Sequence, residues 1–178
     1  MTLYPAGQEP DYWDPDPSVP GYRFALGRVS GSSPDAPPLI AVCMNPSHAR
    51  EDRSDKTVNR LIEASEDHKY SGWIMLNLYP ERSPKPSELG QFDATLSAEN
   101  KEAIAKVLSL FNAMEVLGAW GDLQTETLRA AKRDLLPHLA LLGVQVFTLD
   151  SLTTKGNPRH PSPRGSYLPM LGPKVYVS

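Results

Sequence analysis

The chain reads as an α/β domain, a three-layer sandwich in which helices cover both faces of a four-stranded, mainly parallel sheet. Three observations predict this. Four short apolar runs, at residues 39–44, 73–77, 115–120 and 144–149, have the near-continuous hydrophobicity of strands covered on both faces. Stretches with helical periodicity separate the runs, and strands alternating with helices give parallel βαβ units. At 178 residues, with 40% hydrophobic and 22% charged side chains, the chain suits one domain with a single core.

Each element follows in order. Residues 1–21 carry Glu9, Asp11, Asp14 and Asp16 with no lysine or arginine and no periodicity, and read as an acidic extended arm; residues 22–178 are the domain. Residues 22–29 alternate enough to be a strand, and the turn at 30–38 returns it as a hairpin into strand 39–44. Asp55 is an N-cap, ahead of Val58, Leu61, Ile62 and Ser65 on one helical face. Gly72 precedes strand 73–77, and residues 80–86 are a loop between two prolines. Residues 97–112 form an amphipathic helix with Ile104, Val107, Leu108 and Phe111 in register. After strand 115–120, Asp122 caps a helix carrying Leu128, Ala131 and Leu135, which Pro137 bends or breaks. Gly143 ends that helix ahead of strand 144–149.

Composition narrows the function. A lone Cys43 excludes an internal disulfide, a cysteine-rich zinc site and an iron–sulfur cluster, and no metal or cofactor is expected. No apolar run approaches the roughly 20 residues of a membrane span, and the N-terminus lacks the basic start and apolar stretch of a signal peptide, so a cytoplasmic monomer is expected. The net charge is −3, yet from Ser151 onward there are Lys155, Arg159, Arg164 and Lys174 and no acid. That segment suits an anionic ligand.

It also holds the most constrained stretch of the chain, Gly156-Asn-Pro-Arg-His160-Pro-Ser-Pro-Arg-Gly165. Its three prolines fix φ near −65° and hold an imidazole, a hydroxyl and two guanidiniums in a set arrangement. A second proline-fixed polar loop, Met44-Asn45-Pro46-Ser47, directly follows the first buried run. In parallel sheets ligands bind beyond the carboxyl ends of the strands. Asn45, Asn77, the Gly121-Asp122 pair and the loop from Asp150 to Gly165 lie at those ends and are expected to share one crevice.

A first strand ending in Met-Asn-Pro-Ser, a second in Met-Leu-Asn, a third reading Gly-Ala-Trp-Gly and a late His-Pro-Ser-Pro-Arg resemble, in that order, the uracil-DNA glycosylase superfamily. His-Pro-Ser-Pro-Arg is closest to the single-strand-selective monofunctional branch, and Met-Asn-Pro-Ser resembles that branch and the mismatch-specific one. The chain is also similar to an uncharacterised bacterial family with Met-Asn-Pro-Ser, Asn-Leu and Gly-x-Pro-x-His-Pro signatures. The resemblance implies a uracil-DNA glycosylase-like fold, DNA as partner and base excision by flipping the nucleotide out of the stack.

Site roles follow by resemblance. His160 is the donor to the departing base and Asn45 positions the attacking water. An amide accepts no proton near neutrality, so Asn45 is not a strong base. Asn77 reads the base edge, with Tyr79 as a stacking surface; Ser162 holds a phosphate, Arg164 is the wedge, and Arg159 and Lys155 add DNA contacts. Plainer roles stand beside these: a turn histidine for His160, a helix cap for Asn45, a strand-closing amide for Asn77, a surface arginine for Arg164, and core packing for Trp73 and Trp120.

Two departures matter. Asn45 stands where the best-known uracil glycosylases have a water-activating Asp, so Asp150 or Asp122 is the candidate replacement carboxylate. Ser47 stands where uracil-selective members place a bulky Tyr against C5 of the base. The small side chain leaves room for a substituent. A monofunctional glycosylase for a damaged or 5-substituted pyrimidine, of use against modified foreign or phage DNA, is therefore the expected activity. The alternatives are a non-catalytic nucleic-acid or nucleotide-binding module, and a hydrolase of free nucleosides or nucleotides.

Overall fold

The computed structural model describes residues 2–163 and 168–177. In chain order these form β1 (Tyr12–Asp14), β2 (Ala25–Arg28), β3 (Leu39–Cys43), α1 (Lys56–Asp67), β4 (Trp73–Asn77), a 3₁₀ turn (Pro86–Glu88), α2 (Ala94–Leu110), β5 (Glu115–Gly118), α3 (Glu126–Leu141), β6 (Gln145–Thr148) and β7 (Val175–Tyr176). The strands make one sheet in the order β1-β2-β4-β3-β5-β6-β7. β4, β3, β5 and β6 run parallel, β1 and β2 pair antiparallel along one side, and β7 pairs antiparallel at the other edge.

This overturns the expected four-stranded, mainly parallel sheet: among the described residues the sheet is seven-stranded and mixed, with three α-helices. The expectation rested on apolar runs, and those report only strands covered on both faces. β1 has three residues and β7 two, all partly or fully exposed, too short for any alternation to register. β2 was expected to hairpin into β3 but pairs antiparallel with β4 instead. Both sides of β3 are taken by β4 and β5, which leaves β2 the outer side of β4.

The sheet divides two apolar layers. Leu39, Ala41 and Cys43 on one face of β3 pack with Val58, Leu61 and Ile62 of α1. Ile40 and Val42 on the other face pack with Ile104 and Val107 of α2 and Leu128, Ala131 and Leu135 of α3. The alternation is the pleat's period of two, and each fully buried aliphatic side chain contributes about 1.5–3 kcal/mol. Asp55 caps α1, its carboxylate accepting from the backbone N–H groups of Thr57 and Val58. α3 departs from expectation twice. Its cap is Thr125, not Asp122, and Pro137 sits inside it without ending it. Pro137 is on the exposed side, where water can satisfy the carbonyl that loses its N–H partner.

The acidic N-terminal segment is fastened to the domain. Thr2 and Ser54 exchange backbone hydrogen bonds of 3.1 and 2.8 Å. The buried Tyr4 ring stacks on Trp73 at 6.1 Å between centroids, and its hydroxyl donates to the Arg50 carbonyl at 2.6 Å. Tyr4→Ala is expected to cost on the order of 3 kcal/mol in denaturant unfolding, as for other buried aromatics. A cost under about 1 kcal/mol, the scale of a single net hydrogen bond, would mean that the segment only drapes over the sheet.

Candidate active site

Beyond the carboxyl end of β3 lies a cavity of about 430 Å³, bordered by Cys43, Asn45, Ser47, Asp55, Met75, Ser83 and His160 among others. Asn45 is oriented by its own loop and a facing one. Its Nδ2 donates to the carbonyls of Pro46 at 3.1 Å and Ser83 at 2.9 Å, with a longer contact to Glu81 O at 3.5 Å. Ser83 N donates back to Pro46 O at 2.9 Å. Carbonyls accept only from the NH₂ end of the amide, so Oδ1 is left as the acceptor facing the cavity. Ser47 lines the same space, its hydroxyl 2.9 Å from Nδ1 of His48.

His160 arrives from the other side of the sheet's end, on a loop held by packing and hydrogen bonds. Asp122 accepts from Thr153 Oγ1 at 2.7 Å and Asn157 Nδ2 at 2.9 Å, and Lys132 Nζ donates to Asn157 Oδ1 at 2.6 Å. These hydrogen bonds, from Asn157 first, hold the Asp122 carboxyl below its ordinary pKa. The loop then presses on the Gly118-Ala-Trp-Gly121 turn. A Cβ on Gly118 would lie 2.6 Å from Pro158 Cγ, and one on Gly121 would lie 3.0 Å from His160 Cβ. Gly121 also has φ +67° and donates its N–H to Pro158 O at 2.9 Å. Both glycines are there to admit the histidine loop.

The His160 ring accepts the Ser162 N–H on Nδ1 at 3.1 Å, which leaves Nε2 to carry the proton. Burial pushes its pKa below the ordinary 6.5, with the Asp55 carboxylate pulling weakly the other way. The shift favours the neutral imidazole, with Nε2 as its N–H donor.

The carboxylate of the cavity is Asp55. It is expected from sequence as a helix cap and is one, but capping occupies only Oδ1. Neither Asp122 nor Asp150 borders the cavity: the first braces the histidine loop, and the second accepts its neighbour Ser151 N–H at 2.6 Å. Sequence reasoning missed Asp55 as a site residue because a capping role already accounted for it. Lys56, at the first turn of α1, also lines the cavity and is exposed. Cys43 forms part of the floor, and burial pushes its thiol well up and keeps it protonated.

Other expected residues fall elsewhere. Tyr79 is buried against Phe92, its hydroxyl accepting Asp93 N–H at 3.0 Å, and does not line the cavity. Trp73 and Trp120 are buried in the core. Asn77 is 0% exposed, and both polar atoms of its amide are buried without a partner. It pairs in register with Cys43 and shares the pleat parity of Met75, so it lies on the face whose other members floor the cavity. Ser162 reaches the site through its N–H to His160. Arg159 and Lys155 are exposed and do not border the cavity, Arg159 Nε donating to Ser151 O at 3.1 Å. Arg164 lies outside the described residues. Among the described residues no cluster of His, Cys, Asp and Glu could hold a metal, and no helix is long and apolar enough to cross a membrane.

The fold and site together define a class: an α/β domain with a cavity at the carboxyl ends of parallel strands, where such sheets bind ligands. The chain belongs to the family described as "Protein of unknown function (DUF1643)", which matches residues 23–162, from just before β2 to just past His160. No curated protein and no solved structure matches the chain.

Two outcomes test this geometry. Gly121→Ala combines left-handed strain with contact against His160, and is expected to cost about 1–3 kcal/mol and to shift the ring resonances of His160 in NMR spectra. The lowered His160 pKa means that the unfolded chain binds the extra proton first. Its contribution to stability is then complete above pH 6.5 and falls as pH drops toward the folded-state pKa. His160→Gln is expected to flatten that part of the stability–pH curve.

Proposed function

We propose that the cavity hydrolyses an N-glycosidic bond, and that the protein is a monofunctional DNA glycosylase for a damaged or 5-substituted pyrimidine. The observation that carries this reading is the meeting of three groups in one cavity: an amide acceptor locked by carbonyls (Asn45), a neutral imidazole donor (His160) and a carboxylate (Asp55).

The chemistry then assigns itself. When the bond from C1′ to the base nitrogen breaks, its electron pair leaves with the base and positive charge builds on the sugar. His160 Nε2–H donates to the base carbonyl where negative charge grows, a contribution of about 3–4 kcal/mol for one well-placed donor. Asn45 Oδ1 accepts from the attacking water. The Asp55 carboxylate stabilises the cationic sugar and takes the water's proton as its oxygen bonds C1′. Lys56 is exposed, whereas Schiff-base lysines are activated by desolvation, so the reaction stops at the abasic site. Ser47 leaves the wall beside the base open to a C5 substituent. The setting is cytoplasmic, and modified foreign DNA is the fitting source of substrate.

One observation favours a second reading, hydrolysis of free nucleosides or nucleotides: the exposed cations of the histidine loop, Lys155 and Arg159, do not border the cavity. Oligonucleotides carrying a panel of modified pyrimidines, cleaved with alkali after incubation, alongside the free nucleosides, separate the two.

Glycosylase activity predicts base release from at least one oligonucleotide and no adduct on borohydride trapping. His160→Ala is expected to slow release about 100-fold or more while the protein stays folded. Asp55→Asn keeps the helix cap, since Asn caps as well as Asp, and should cost turnover without stability. Loss of both would make Asp55 structural only. Ser47→Tyr should cut release of a 5-substituted base about tenfold to a hundredfold and spare uracil. Equal loss on both would place Ser47 away from C5.

A further inference from the structure

Behind the loops that wall the cavity is a second cleft, of about 340 Å³, into which three arginines converge: Arg23, Arg50 and Arg82. Arg23 is 4% exposed, as buried as the core around it. Its Nη1 donates to Ala49 O at 2.6 Å, Nη2 has only the Met75 sulfur at 4.0 Å, and Nε is buried without a partner. Arg82 Nη2 turns to the same Ala49 carbonyl at 3.3 Å. Among the described residues no carboxylate pairs with any of the three.

This is an unusual expense. A buried cation normally comes with a counter-charge, because desolvating it alone costs several kcal/mol even after relaxation. Here two guanidiniums share one neutral acceptor and repel each other. Burial first, then the charge of Arg82, lowers the Arg23 pKa to about 10, and burial followed by Arg50 lowers that of Arg82. Two carboxylates, Asp16 and Glu51, line the cleft, but both belong to exposed residues, and Asp16 Oδ1 is taken by Ser18 N and Oγ at 3.0 and 2.6 Å. Buried Arg23 and half-buried Arg82, with exposed Arg50 set against the two exposed carboxylates, leave the inner part of the cleft cationic.

We infer that the Arg23–Arg50–Arg82 cleft is a phosphate-binding subsite adjacent to the cavity. Guanidinium forks match the geometry of phosphate oxygens and form bidentate, charge-assisted hydrogen bonds with them. No residue lines both spaces, but two loops border each of them. Ser47 and His48 line the cavity while Arg50 and Glu51 line the cleft; Arg82 lines the cleft while Ser83 and Pro84 line the cavity. One ligand can therefore lie across both loops, with its phosphate on the arginines. The subsite stands whether or not the cavity breaks a glycosidic bond.

The test is binding to the full chain, followed by thermal shift and by tryptophan fluorescence, since Trp13 lines the cleft. The probes are inorganic phosphate, thymidine, thymidine 5′-monophosphate and a short oligothymidylate. Phosphate and the two phosphorylated probes are expected to bind, the monophosphate and the oligothymidylate each more tightly than thymidine. Arg82→Gln and Arg50→Gln should each weaken binding at least about tenfold, and each should lower the slope of log K against log salt for the oligonucleotide by about one. Tighter binding of the oligonucleotide identifies a strand phosphate, and tighter binding of the monophosphate a free nucleotide. Arg23→Gln is read only if circular dichroism shows it folded; the two less buried variants decide. Wild-type protein that binds no phosphorylated probe, or a folded Arg50→Gln/Arg82→Gln double variant that binds them as the wild type does, overturns the subsite. Failure of base release with phosphate binding intact would instead count against the glycosylase reading alone.

Discussion

Everything in the candidate site depends on how closely the histidine loop can approach the end of β5. Gly118 and Gly121 have no Cβ to spare, and Pro158 and His160 occupy the space where one would be. The Asp122, Thr153, Asn157 and Lys132 network then keeps the loop pressed there. Both sets of contacts join distant parts of the chain, and they bring His160 to the cavity that the first loop after β3 borders. Without that approach Asn45 and Asp55 would lack the imidazole that borders the same cavity.

The electrostatics are arranged around the same space. His160 is driven neutral by burial, Cys43 is held as a thiol, and the carboxylate of Asp55 is positioned by the start of α1. A helix N-terminus favours a negative side chain, so the cap and the cavity carboxylate are stabilised by one dipole. Asn77 is the unexplained cost of the arrangement. Burying an amide with neither end bonded is unfavourable by about 1–3 kcal/mol for each group, and Asn77 is 0% exposed and does not line the cavity. Arg23 carries the corresponding cost on the other side of the loops. Two buried, under-satisfied polar side chains thus lie toward this end of the sheet.

Much of this was legible in the residues. The four parallel strands were visible as apolar runs because β3 and β4 are buried throughout and β5 and β6 over most or half of their length, and Asp55 was visible as a cap because capping is local chemistry. The two proline-fixed loops stood out for the same reason: proline constrains φ whatever surrounds it. The edge strands β1 and β7 were invisible, since strands of three and two exposed residues have no pattern to show. Asp122 was misplaced as a helix cap because its real partners, Thr153 and Asn157, lie about thirty residues away.

The sequence by itself determined which segments could be strands, helices and stiff loops, because period, capping and φ restriction act within a few residues. It also determined that Asn45, Ser47 and His160 would sit in rigid loops at strand ends. Only the tertiary structure decided that β2 lies outside β4, that Tyr79 belongs to the core, and that the cavity's carboxylate is Asp55 while Asp122 braces a loop. It alone brought Arg23, Arg50 and Arg82 together. Those outcomes depend on which neighbours are already taken and which charges end up facing one another, and such long-range contacts leave no periodic trace in the chain.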